Sequence, residues 1–160
     1  MKRRAKPHKR SSSLAKKVKR SPKLSHAAPA GMPRLGLESA VQCVVPREWT
    51  IAAFDPRLPA VLSTPAMIGM MEVAAAQAVQ PELPAGAITV GTRIEVDHLK
   101  AATEGATVRA DARLVGYQGR FLVFEVEARS GDLVLGRGKV FRAIIEPQTF
   151  HARASARKDS

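Results

Sequence analysis

At 160 residues the chain has material for one domain plus tails. Its formal charge of +12 is unevenly placed: residues 1–26 hold 11 of the 26 Lys and Arg and no acid, leaving 15 basic against 14 acidic side chains beyond them. A single cysteine, Cys43, excludes an intrachain disulfide, and no apolar run matches a membrane span or the core of a secretory signal.

Residues 1–34 are rich in Lys, Arg, Ser and Pro and lack the apolar content to fold, so a disordered basic tail is expected. Such a tail can contact a polyanion, resemble an organelle-transit segment, or be a solvated extension, with translation starting at Met32 as a variant of the last. No aromatic residues are interleaved for base stacking, which disfavours nucleic acid without closing that possibility. Leu37–Val45 follows as a strand, with Val41, Cys43 and Val45 on one face. Residues 46–62 are irregular, because Pro46, Pro56 and Pro59 break any period. They contain Trp49, Phe54 and Leu58, and read either as a loop packed over one end of the core or as a lid over a pocket.

The stretch Ser63–Pro81 predicts one helix. Thr64 is placed to act as N-cap, Pro65 suits the first helical position, and Pro81 closes the segment. Nearly every residue between is apolar or small, so the helix should be buried all round, with the domain wrapped about it. Glu72 stands out, because its helical neighbours are Ile68, Gly69, Ala75 and Ala76. A carboxylate there must be paired, protonated or functional.

Four alternating runs follow. Ala87–Ala101 places Val90, Thr92, Ile94, Val96 and His98 on one face, and Thr89, Gly91, Arg93, Glu95 and Asp97 on the other. Glu104 and Gly105 turn the chain. Ala106–Val115 puts Val108, Ala110, Ala112 and Leu114 inward, and Gly116 to Gly119 signals a hairpin. Phe121–Arg129 puts Leu122, Phe124, Val126 and Ala128 inward. After a turn at Ser130–Asp132, Leu133–Ile145 is the last strand, with Gly136 and Gly138 easing a bend or bulge. The tail from residue 148 to 160 is polar and basic. The expected fold is α+β: a five-stranded antiparallel sheet on one long helix, in a domain spanning 35–147. Its unpaired edges would be relieved by pairing between two chains.

Periodicity turns Glu72 and His98 into the core, with Arg142 sharing the inner face of Val140 and Ile144. A Glu and a His together can polarise water or support general-base chemistry. Glu95 and His98 face opposite sides of their strand, which argues against a metal pair. No phosphate loop, Gly-x-Ser-x-Gly elbow or Cys-x-x-Cys is present, so no cofactor is expected.

The runs Ser-Thr-Pro-Ala-Met-Ile-Gly-Met-Met-Glu-Val-Ala-Ala (63–75) and Thr-Val-Gly-Thr-Arg-Ile-Glu-Val-Asp-His-Leu-Lys-Ala-Ala-Thr (89–103) resemble the fluoroacetyl-CoA thioesterase family of hot-dog proteins. The resemblance covers residues 37–146 and includes the later Gly-x-Gly-x-x-x-Arg, Gly136 to Arg142. It implies a hot-dog fold, a homodimer or tetramer with sites at the subunit interface, and an acyl-CoA substrate; the Met- and Ala-rich helix adds the expectation of a short or small acyl group, and the lone cysteine suits a cytoplasmic enzyme. Carried over by position, Thr64, Glu72 and His98 match the catalytic trio, and Gly91 and Arg142 match positions near the acyl group and thioester. His98 would accept a proton, Glu72 would orient His98 or attack the carbonyl, and Thr64 would bond substrate or Glu72. Residues 46–62 do not align with the lid that the family uses for fluoroacetyl selectivity, so the resemblance extends to acyl-CoA hydrolysis and no further.

Two other readings compete: a non-catalytic hot-dog module that binds acyl-CoA or a related metabolite, and a hot-dog hydratase or dehydratase. Neither would release a thiol. Thr64 and Glu72 are eight residues apart, about 12 Å along a regular helix. Both can serve one carbonyl only if Thr64 lies in a curled first turn or if two chains share the site.

Overall fold

The computed structural model describes residues 23–150. Strand β1 (Glu38–Val44) leads through two short 3-10 turns to helix α1 (Thr64–Val79), and then to β2 (Ile88–His98), β3 (Thr107–Gln118), β4 (Phe121–Ser130) and β5 (Leu133–Ile145). All five strands form one antiparallel sheet in the order β1-β3-β4-β5-β2. The expected α+β architecture is therefore present.

The sheet order departs from a simple meander. The turn at Glu104–Gly105 does not join neighbours, because β2 pairs with β5 at one edge and β3 pairs with β1 at the other. Residues between β2 and β3 cross the sheet instead, and they are tied to the segment before the helix. Leu62 N–H donates to the Ala102 carbonyl at 2.7 Å, and Val61 bridges Thr103.

The core forms where the two periodicities meet. Met67, Met70, Met71, Ala74, Ala75, Ala78 and Val79 turn one side of α1 inward. Val108, Ala110, Ala112 and Leu114 of β3 and Leu122, Phe124, Val126 and Ala128 of β4 face them, all buried. The small Ala residues let helix and sheet approach closely, while Met and Phe fill the remaining space. The helix is not buried all round: Pro65, Gly69, Val73 and Gln77 are exposed, leaving one stripe of α1 uncovered among the described residues.

On the outer face, register aligns Glu38, Arg113, Glu125, Lys139 and Glu95 into one row of alternating charge across all five strands. Opposite charges on facing strands attract, and the row keeps this face wettable. The glycines of β5 allow close approach, and Gly136 also borders a bulge. A Cβ at Gly138 would lie 2.0 Å from the Glu95 carbonyl oxygen, so only glycine lets β2 dock there. The expected bulge is present as well: Ala128 pairs with Gly136 and Arg129 with Val134, so Leu135 of β5, beside Gly136, is the extra residue. Gly116 lies within β3, and the hairpin turns at Gly119, whose φ is 63°.

Of the stretch expected as a tail, residues 1–22 lie outside the described residues, as do 151–160. Residues 23–34 run over the far end of β3: Ser25 pairs with Tyr117, His26 bonds the Val115 carbonyl, and the buried Tyr117 hydroxyl donates to the Pro33 carbonyl. No helix among the described residues is long and apolar enough to cross a membrane.

Candidate active site

The helix start differs from expectation by one residue. Ser63, in extended conformation, is the N-cap, and its Oγ accepts from the Ala66 N–H at 3.4 Å. Ser63 N–H is itself held by the Trp49 carbonyl, which fixes the extended chain leading into the helix. Serine caps at least as well as threonine. Thr64 is thereby the first helical residue, and its hydroxyl is free for another partner. That partner is His98, whose Nδ1 lies 2.8 Å from Thr64 Oγ1. His98 closes β2 on its inner side and is half-buried.

Glu72 lies two turns further along α1, and its partner is Arg142. Arg142 Nη1 donates to Glu72 Oε2 at 2.7 Å. Burying a guanidinium is costly unless its N–H groups are satisfied. Arg142, only 5% exposed, meets that requirement with Nε on Thr89 Oγ1 (2.9 Å) and Nη2 on the Thr89 carbonyl (2.8 Å). Glu72 Oε1 is buried and has no hydrogen-bond partner among the described residues. Gly91 makes room for this carboxylate, since a Cβ there would sit 2.3 Å from Oε2.

The five residues singled out from sequence therefore form two groups. Thr64 is joined to His98, and Glu72 to Arg142 and Gly91. Within the chain Glu72 does not orient His98, because each has a different partner. The curled first turn is also absent: α1 is helical from Thr64 onward, so the rise of about 12 Å between the two groups stands.

Strict alternation missed Thr89. It assigned Thr89 and Gly91 to the outer face, but the register of β2 against β5 shifts between Gly91 and Arg93. That irregularity lets Thr89 and Gly91 face inward with Arg142, while Ile94, Val96 and His98 stay on the same side further along. Thr92 Oγ1 donates to the Phe141 carbonyl at 3.0 Å, and the Arg93 guanidinium lies 3.7 Å from the Phe141 ring centroid. A glycine inside a strand pattern was the available signal.

An apolar groove of about 580 Å³ opens along the uncovered stripe of α1, between Pro65, Met70 and Val73 on the helix, Cys43 on β1, and Trp49 and Phe54. Residues 46–62 pack over the core as a loop and also border this groove. Thr50, Ala52 and Leu62 are buried against the core, while Trp49 and Phe54 border the groove. A larger concavity of about 800 Å³ lies on the charged outer face, away from Glu72 and His98. Among the described residues no group of three or more His, Cys, Asp and Glu is placed to hold a metal.

A carboxylate with one oxygen fixed and one uncommitted, and an imidazole tied by its Nδ1, are groups suited to hydrolysis at a carbonyl. One long helix on a five-stranded antiparallel sheet is the hot-dog fold, and with these side chains it defines a protein of the thioesterase superfamily. Residues 45–148 match the family of fluoroacetyl-CoA-specific thioesterases. A fluoroacetyl-CoA thioesterase from Streptantibioticus cattleyicolor is 34% identical over 126 residues, 75% of this chain and 91% of the relative. A solved fluoroacetyl-CoA thioesterase structure superposes with a TM-score of 0.71 at 33% identity, covering 77% of this chain and 96% of that one. A thioesterase superfamily member from Thermus thermophilus gives 0.71 at 27% identity, covering 78% and 93%. The chain belongs to the fluoroacetyl-CoA-specific thioesterase family, and it is a thioester hydrolase.

Proposed function

We propose that the protein hydrolyses acyl-CoA thioesters, adding water across the C–S bond to give a carboxylic acid and free CoA thiol, at sites shared between two copies of the chain. The observation that carries this reading is the uncommitted, buried Oε1 of Glu72, held on the inner side of the sheet by Arg142. In this reading that oxygen addresses a carbonyl carbon, directly or through water. His98 takes up and returns the proton, and Thr64 sets the imidazole's orientation through the 2.8 Å contact. Backbone N–H groups beside Gly91 or at the start of α1 are the candidates to hold the oxyanion.

The separation of about 12 Å between Thr64 and Glu72 supports a shared site, with Thr64 and His98 from one copy and Glu72 and Arg142 from the other. Among the described residues the β2 edge is unpaired on one side, and Ile94 on it is 45% exposed, as suits pairing with a second copy. The acyl group is read as short or small because Ala and Met dominate the helix. Cys43 is a free thiol, which agrees with a cytoplasmic location.

The test is thiol release over short, branched and aromatic acyl-CoAs, with Glu72→Ala and His98→Ala as controls. Both variants should lose most turnover. Variants that match wild type on every substrate turned over would remove these residues from the site. Co-refolding the two variants should then restore about a quarter of wild-type activity, because half the dimers carry one intact shared site. No recovery would place each site within one chain.

A further inference from the structure

We propose that Thr89 is a positioning residue for the hydrolysis, acting through Arg142 to present the free oxygen of Glu72; this rests on the thioesterase reading above. The guanidinium is planar, so fixing two of its nitrogens fixes the direction of the third. Thr89 fixes two: its hydroxyl accepts from Nε and its carbonyl accepts from Nη2. Nη1 is then aimed at Glu72 Oε2, and Oε1 is left without a partner among the described residues. Thr89 is 7% exposed and Arg142 5%, so water does not readily replace the hydroxyl.

Thr89 reaches this place through the irregularity in β2. Had β2 kept strict alternation through Gly91–Arg93, the run that ends in His98 and the run that holds Thr89 would lie on opposite faces. The bond from Thr92 Oγ1 to the Phe141 carbonyl and the stacking of Arg93 on Phe141 secure the backbone at that point. One strand thereby supplies His98 at its end and the support of Glu72 near its start, both on the inner face.

The experiment compares thiol release by wild type, Thr89→Val and Thr89→Ser, with melting temperature measured for each. Thr89→Val keeps the shape and removes the hydroxyl; kcat should fall about 10- to 100-fold with KM changed less than about threefold. Thr89→Ser keeps the hydroxyl and should return kcat to within about threefold of wild type. In a Glu72→Gln background, Thr89→Val should cost little more, because the residue acts through that carboxylate. If Thr89→Val does not fold, Thr89→Ala carries the same comparison. A wild-type kcat in Thr89→Val, or a loss in Thr89→Ser as large as in Thr89→Val, overturns the inference. If Glu72→Gln itself keeps full turnover, or wild type releases no thiol from any acyl-CoA, the underlying site assignment fails and the inference falls with it.

Discussion

The carboxylate of Glu72 lies against the backbone of Gly91, so close that a methyl group there would sit 2.3 Å from Oε2 and 2.9 Å from Oε1. Helix and strand touch at this point through a side chain on one and a missing side chain on the other. Gly91→Ala should push the carboxylate off Arg142. Overpacking of this kind costs about 1–3 kcal/mol, and turnover should fall about tenfold or more as the carboxylate shifts. Thermal melting and thiol release on the same preparation check both. Unchanged turnover would show that Glu72 relaxes without consequence.

Ser63 and Thr64 are adjacent and both hydroxylic, yet they should behave oppositely. Ser63→Ala removes the cap of α1 and should cost about 0.5–1 kcal/mol of stability while leaving most activity. The low end is expected because its bond to Ala66 is long. Thr64→Ala leaves the cap in place but releases His98, so activity should fall about 10- to 100-fold with little change in melting temperature. Urea melts and kcat for the two variants decide the matter.

Gly138 tests whether the β5 glycines serve docking of β2. A Cβ at Gly138 would meet backbone on the facing strand, 2.0 Å from the Glu95 oxygen and 2.7 Å from Val96 Cα. Backbone cannot swing aside as a flexible side chain does. Gly138→Ala should destabilise by about 3 kcal/mol or more and raise amide exchange in β2 above that in β3 and β4. Uniform exchange across all strands would count against a local effect.

Tyr117 joins the far end of β3 to the segment before β1, through its hydroxyl on the Pro33 carbonyl. Tyr117→Phe should cost about 1 kcal/mol and expose residues 23–34 to protease. Burial raises the Tyr117 pKa above its ordinary value, with the charge of Glu82 adding to the effect. A phenol whose pKa is raised on folding keeps its proton in the folded state. Its contribution is therefore fully present below the ordinary tyrosine value of 10.0 and is lost as pH rises above it. Wild type should lose stability above that pH more steeply than Tyr117→Phe, measured as denaturant midpoints against pH.

Period-two patterning located β3, β4 and β5 and their inward faces, because Val108 to Leu114 and Leu122 to Ala128 alternate without interruption. Patterning also marked Glu72 as anomalous, since a carboxylate amid Ile68, Gly69, Ala75 and Ala76 has no local partner. It failed where a register shift intervenes: Thr89 and Gly91 lie on the face that strict alternation denied them. It failed again between Ser63 and Thr64, because two good caps in succession cannot be told apart until one of them finds another partner.

The order of elements, the inward residues of β3 and β4, and the identity of the unusual carboxylate and imidazole were determined by the amino-acid sequence alone. These follow from local periodicity and side-chain chemistry. Which residues became partners was decided only by the tertiary structure: Thr64 with His98, 34 positions apart, and Glu72 with Arg142, 70 apart. The reason is that pairing depends on sheet order and on one shift of register in β2. Both are set by how distant strands dock on the helix, and neither has a local energetic signature.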